Sequence, residues 1–210
     1  MRLLFFSFSL ALASPAFSDC RAEIAALYDG GAMDEFTRRP HHIEMTDYDA
    51  DGTMTERHVG QQIDGTHYTL FSEVRGMGVL YVGSEVWYQM GKDAAWGNKQ
   101  TMPAVRKDDL MRQQAEKAAS ISEEECLGAM QADGQEYVVY RWRVFTDTSE
   151  EHGGGINGAV HEAWVDPGSG ELAILKDSEV VTPWKAEPDG STRVTRYRYD
   201  DSIVITPPEG

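Results

Sequence analysis

Six histidines, His41, His42, His58, His67, His152 and His161, are the side chains best suited to acid–base chemistry or metal ligation near neutral pH. Their spacing argues for neither. They are scattered over segments patterned as strands and loops, whereas a zinc site needs three or four converging ligands. Solvent-facing strand positions are the reading adopted for them. No serine sits in Gly-x-Ser-x-Gly, and no histidine follows one in an obvious triad order. A secreted hydrolase whose acids meet only in three dimensions is the weaker alternative. The chain is therefore read as non-enzymatic, with no cofactor, no metal and no catalytic residue assigned.

Asp47-x-Asp49-x-Asp51-Gly52 copies the first half of a calcium loop, with oxygens at positions 1, 3 and 5 and glycine at 6. Position 12, where a bidentate Glu belongs, is His58, and the flanks read as strands. Asp and Gly are also what a tight hairpin turn selects. The turn is the expectation.

The two cysteines after the leader, Cys20 and Cys126, lack a CxxC partner and a nearby histidine pattern. The N-terminus explains them. Residues 1–18 combine Arg2, a short apolar run through Leu12 and Ala13, and small residues at Ala16 and Ser18, the pattern of a secretory signal peptide cut before Asp19. The run falls short of the ~20 residues that span a bilayer. Asp19 stands where a lipidated Cys20 would require a small residue. The mature chain, 19–210, is expected to be periplasmic or secreted, not membrane-spanning, with an oxidised Cys20–Cys126 bond closing a long loop.

Charge narrows the partners. The 210 residues carry a formal charge of −16, and removing the leader takes away one Arg and no acid. Such a surface repels phosphate backbones, so nucleic acid is excluded as a partner. Hydrophobic residues at 41% and charged residues at 26% describe a chain that buries a core.

The remaining pattern defines the elements. Ile24, Leu27, Tyr28, Met33 and Phe36 recur at helical spacing from Arg21 to Arg38, interrupted by Gly30-Gly31. Alternating segments follow at 41–49, 53–63, 66–75 (with Tyr68, Leu70 and Val74 on one face), 79–82 and 86–88. A second helical composition runs from Pro103 to Ser120, with Val105, Leu110, Met111, Ala115, Ala118 and Ala119 among charged residues. Acidic Glu123 to Glu125 lead to Cys126. Gln135 to Thr146 is the clearest strand, with Val138, Tyr140, Trp142 and Val144 on one face and Arg141 and Arg143 on the other. After Gly153-Gly154-Gly155, strands are expected at 159–165, 172–181, 192–199 and 202–206. Nine or ten strands in neighbour-to-neighbour order make a mainly β, largely antiparallel sheet in one domain, closed on itself or with its concave face covered.

Two stretches resemble a known family: Trp164-Val165-Asp166-Pro167-x-x-Gly170-x-Leu172, and the ending Tyr197-x-Tyr199-Asp200-Asp201-x-Ile203-x-Ile205-x-x-Pro208. With the order of elements, they are similar to the bacterial lipoprotein-carrier superfamily, of the LolA/LolB and LppX/LprG type. The resemblance implies an α+β fold: a half-open antiparallel β-barrel with an N-terminal helix and a mid-chain helical lid, sheltering lipid or lipoprotein acyl chains without chemistry on them. The residues expected to line the concave face are Tyr68, Leu70, Val138, Tyr140, Trp142, Val144 and Ile174, with Leu110 and Met111 from the lid. The alternative is an envelope protein–protein interaction module with a packed β core and no ligand cavity.

Overall fold

A computed structural model describes residues 19–102, 107–147 and 156–208. Residues 1–18, Pro103, Val105, His152 and the three glycines at 153–155 lie outside the described residues.

The chain first forms a nine-residue helix, α1 (Cys20–Tyr28), whose N-cap Asp19 accepts a hydrogen bond from the Arg21 amide at 3.1 Å. Alone, a helix this short is marginal in water. Burial of Ile24, Leu27 and Tyr28, spaced three and four apart, gives it a packed face. It ends earlier than the periodicity suggests, and 29–38 is not helical. Gly30 takes the left-handed φ of 73° that terminates helices. Asp34 then accepts from the Gly30 and Phe36 amides, fixing the turn that follows.

Eleven strands build one antiparallel sheet: β1 (His41–Tyr48), β2 (Met54–Asp64), β3 (His67–Ser72), β4 (Met77–Val82), β5 (Glu85–Met90), β6 (Gln100–Thr101), β7 (Ser122–Ala132), β8 (Gln135–Asp147), β9 (Ile156–Val165), β10 (Leu172–Val181) and β11 (Thr192–Tyr199). The spatial order is β6-β5-β4-β3-β2-β1-β11-β10-β9-β8-β7. Two meanders thus meet where the first strand pairs with the last, and β6 and β7 are left as free edges. Between those edges in sequence runs the second helix, α2 (Lys107–Ala119). The fold is mainly β: an open, curved antiparallel sheet with two helices, a half-open barrel.

Three expectations change. Glu123 to Glu125, read as an acidic lead-in to Cys126, belong to the edge strand Ser122–Ala132, where these acids meet arginines. Glu123 lies 3.1 Å from Arg143, Glu125 3.9 Å from Arg141, and Glu124 3.8 Å from Arg21 of α1. Strand β3 stops at Ser72, which leaves Val74 in the following turn and exposed. Residues 202–206 are not a strand: Asp200 caps a turn by accepting from the Ser202 amide and hydroxyl, and only Ile203 is buried there.

Cys20 and Cys126 form a disulfide that ties the start of α1 to edge strand β7 across 106 residues. Removing it with Cys20→Ser/Cys126→Ser is expected to lower stability by about 2–4 kcal/mol, because the denatured chain regains that loop's freedom. Urea unfolding of the variant against the oxidised protein measures the difference.

Candidate functional site

Register sorts the side chains into rows across the face that carries the helices. One row runs Tyr199, His41, Gln62, Tyr68, Tyr81, Val86. The next runs Tyr197, Ile43, Gly60, Leu70, Val79, Tyr88. A third begins at Tyr140 and Ala163 and continues through Leu175, Thr195, Met45, His58, Ser72, Met77 and Met90. The glycine in the second row is required, since a Cβ on Gly60 would run into the Thr69 backbone.

This face has two unlike halves. Over β8–β10 it is solid: Ile24, Leu27 and Tyr28 of α1, with Ile121, pack on Trp142, Val144, Ala163, Val165 and Leu172. Trp142 is fully buried and donates its indole N–H to the Tyr28 hydroxyl at 3.1 Å. Over β1–β5 the cover is partial: His41, Gln62, Ser72 and Val86 are buried, but the apolar residues between them are not. Ile43, Met45, Tyr68, Leu70, Val79, Tyr81 and Tyr88 are all half-buried.

The second helix, α2, is lightly seated against α1 and β8. None of the residues of α2 is buried. Its start lies beside the 35–38 turn, with Lys107 Nζ 5.2 Å from the Phe36 ring centre. Near its end, Gln114 donates to the Tyr28 carbonyl at 2.6 Å and Ala118 touches the α1 core.

Polar groups line one rim and the seam between β1 and β11. The row Trp142, His161, Asp177, Arg193, Asp47, Glu56 crosses the sheet near one rim. His161 Nδ1 lies 2.7 Å from Asp177, and Arg193 holds Asp47 through two hydrogen bonds of 2.6 and 2.9 Å. Arg38 buries its guanidinium 5.2 Å over the Tyr197 ring, with Glu35 4.0 Å away and Nε without a partner among the described residues. His41 is 1% exposed, between Tyr197 and Tyr199, rather than solvent-facing. Its Nδ1 faces the Arg39 carbonyl at 2.7 Å. Burial holds its pKa below the ordinary histidine value against that carbonyl's pull, and Arg38 adds to the depression. Burial also pushes the Tyr68 phenol up, helped by Tyr81 stacked 4.7 Å away.

The nine residues expected to line one hollow therefore divide. Tyr68 and Leu70 lie on the half-buried strip. Val138, Tyr140, Trp142 and Val144 share its face but sit at the other end of the sheet, where Trp142 and Val144 are core under α1. Leu110 is half-buried and Met111 exposed on α2. Ile174 is on the opposite face with Tyr137, Val139 and Trp164. A register shift between Leu172 and Ile174 turns it over. The strip residues that sequence reasoning passed over, Ile43, Val79 and Tyr88, become visible only when strand register puts them beside Leu70.

The calcium-like motif is a turn: Asp49 accepts from the Asp51 and Thr53 amides, and Asp47 is held by Arg193. Among the described residues no cluster of three metal-ligating side chains occurs, and no helix is long and apolar enough to cross a membrane.

An open sheet bearing an anchored helix and a loosely seated one defines a half-barrel class with solved relatives. Mycobacterium tuberculosis lipoprotein LppX is similar with a TM-score of 0.53 at 9% identity, over 90% of this chain and 100% of that one. LprF from Mycobacterium bovis gives a TM-score of 0.48 at 10% identity over 90% and 98% of the two chains. A LolA superfamily protein from Nitrosomonas europaea gives 0.31 at 13% identity over 82% and 90%. No family model and no curated protein matches the chain. The chain has the LppX-like, half-open barrel fold.

His41 predicts a pH dependence. Its folded pKa lies below the unfolded value near 6.5, so the unfolded chain takes up the proton first and stability falls as pH drops below ~6.5. Urea unfolding between pH 7 and pH 5 is expected to show this loss, with a shallower slope in His41→Phe.

Proposed function

We propose that the protein is exported, loses residues 1–18, and works in the cell envelope as a non-enzymatic carrier or holder of an apolar ligand, a lipid or the acyl chains of a lipoprotein. The ligand lies on the β1–β5 half of the concave face, beside α2. The observation that carries this reading is the contrast within one face: the half under α1 is packed shut, while the strip centred on Leu70, Val79 and Tyr81 stays half-buried and α2 packs on α1 and β8 rather than over it. Transfer of an acyl chain from water supplies about 0.8 kcal/mol per methylene, so twelve would give roughly 10 kcal/mol before ordering costs. The LppX-like fold and the signal-peptide pattern support the same reading.

A second reading, an envelope interaction module with no ligand, draws on the solid packing under α1. One experiment separates the two. Protein purified natively from a host that exports it is extracted and examined by mass spectrometry. The carrier reading expects an acyl-bearing molecule in near-stoichiometric amount, lost in Leu70→Glu/Val79→Glu while the melting transition is kept. Folded wild-type protein free of such molecules, and unable to take up a fluorescent fatty acid, would select the module.

A further inference from the structure

Away from the concave strip, a cavity of about 530 Å³ opens between the β1–β2 turn and the segment joining β10 to β11. Its volume falls in the range of ligand sites. Trp184 lines it and is 85% exposed, whereas Trp87, Trp142 and Trp164 are buried. An indole left in water is costly, and this one is held in place. Thr182 and Lys185 exchange two backbone hydrogen bonds of 2.9 Å, so Pro183 and Trp184 form the tip of a tight turn. Gly190, at φ 78°, seats the same segment against Ala50 of the β1–β2 turn, where a Cβ would come within 2.9 Å of the Ala50 Cβ.

The electrostatics of the wall are set by pairing. Its two cations are already committed: Arg193 to Asp47, and Lys185 to Asp189 at 2.6 Å. Among the described residues, Asp49 and Asp51 form no ion pair, although both line the cavity. The cavity therefore presents an aromatic face and two carboxylates that form no ion pair among the described residues, on a chain of charge −16. A planar or tetrahedral cation meets both, stacking on the ring and facing the carboxylates.

We propose that this cavity is a docking site for a basic segment of a partner protein, which places an arginine or lysine side chain over Trp184 and against Asp49 and Asp51. Charge complementarity and the preset aromatic anchor are what select that occupant. The proposal is independent of the lipid reading.

The test uses an acetylated heptapeptide, Gly-Gly-Arg-Gly-Arg-Gly-Gly, and its citrulline counterpart, titrated into the full mature chain while the backbone amides of 47–55 and 189–193 are followed by NMR. Saturable binding of the arginine peptide is expected, about tenfold or more weaker for citrulline and weakened at least ~5-fold by Trp184→Ala and by Asp51→Asn. Both variants alter exposed groups, so melting should be unchanged; Asp49→Asn is avoided because Asp49 holds its turn. Peptide binding indifferent to Trp184→Ala would reduce the effect to overall charge and overturn the proposal. So would absence of binding, or Trp184-dependent binding to phosphatidylcholine vesicles in place of the peptide, which would make the occupant a lipid surface.

Discussion

The pairing of the first strand with the last is the constraint on which the rest of the molecule depends. Eight residues of β1, from His41 to Tyr48, lie opposite eight of β11, from Tyr199 back to Thr192. Without that ladder the chain is two meanders, each with a raw edge and neither wide enough to curl. With it, one sheet of eleven strands carries continuous rows of side chains from β8 to β5. The seam is reinforced by the partly buried Arg193–Asp47 pair at one end and by His41 between Tyr197 and Tyr199 at the other. Such long-range contact costs loop-closure entropy before it yields stability, a cost the local hairpins do not carry.

On that sheet the two helices play opposite parts. The first is short but fixed at both ends: a disulfide and an aspartate cap at its start, a left-handed glycine and a side-chain-capped turn at its finish. Its three apolar residues complete a core. The second is longer and rich in charge, and it leans on its surroundings through an amide, an alanine and a lysine over a phenyl ring. Local opening follows contact density, so α2 is the element that can lift without disturbing the sheet. Apolar side chains lie half-covered farther along the same face, over β1–β5.

Much of this was legible beforehand. Alternation in Gln135 to Thr146 assigned β8 and its two faces correctly, because one side is core and the other carries arginines. The disulfide followed from two cysteines with no other use in a chain expected to be exported. The failures share a cause, which is that they depend on a neighbour. Strand β7 looked like an acidic loop until Arg141 and Arg143 stood beside its glutamates. Ile174 fitted the period of its strand until a bulge inverted it. The helical spacing of Met33 and Phe36 came from a capped turn. The division of the concave face into a sealed and a half-covered part depends on where α1 and α2 land, which no single segment encodes. Trp184 carries no signal in its own segment that the surrounding loop turns it outward.

Hydrogen exchange of the ligand-free protein is the most direct measurement of whether one helix is a fixture and the other a cover. The account predicts that backbone amides of 107–119 exchange far faster than those of Ile24 to Tyr28 and of β8 to β10, and that a bound acyl chain slows exchange in α2 and β3–β5 alone. Protection of α2 as strong as that of α1 before any ligand is added would contradict it.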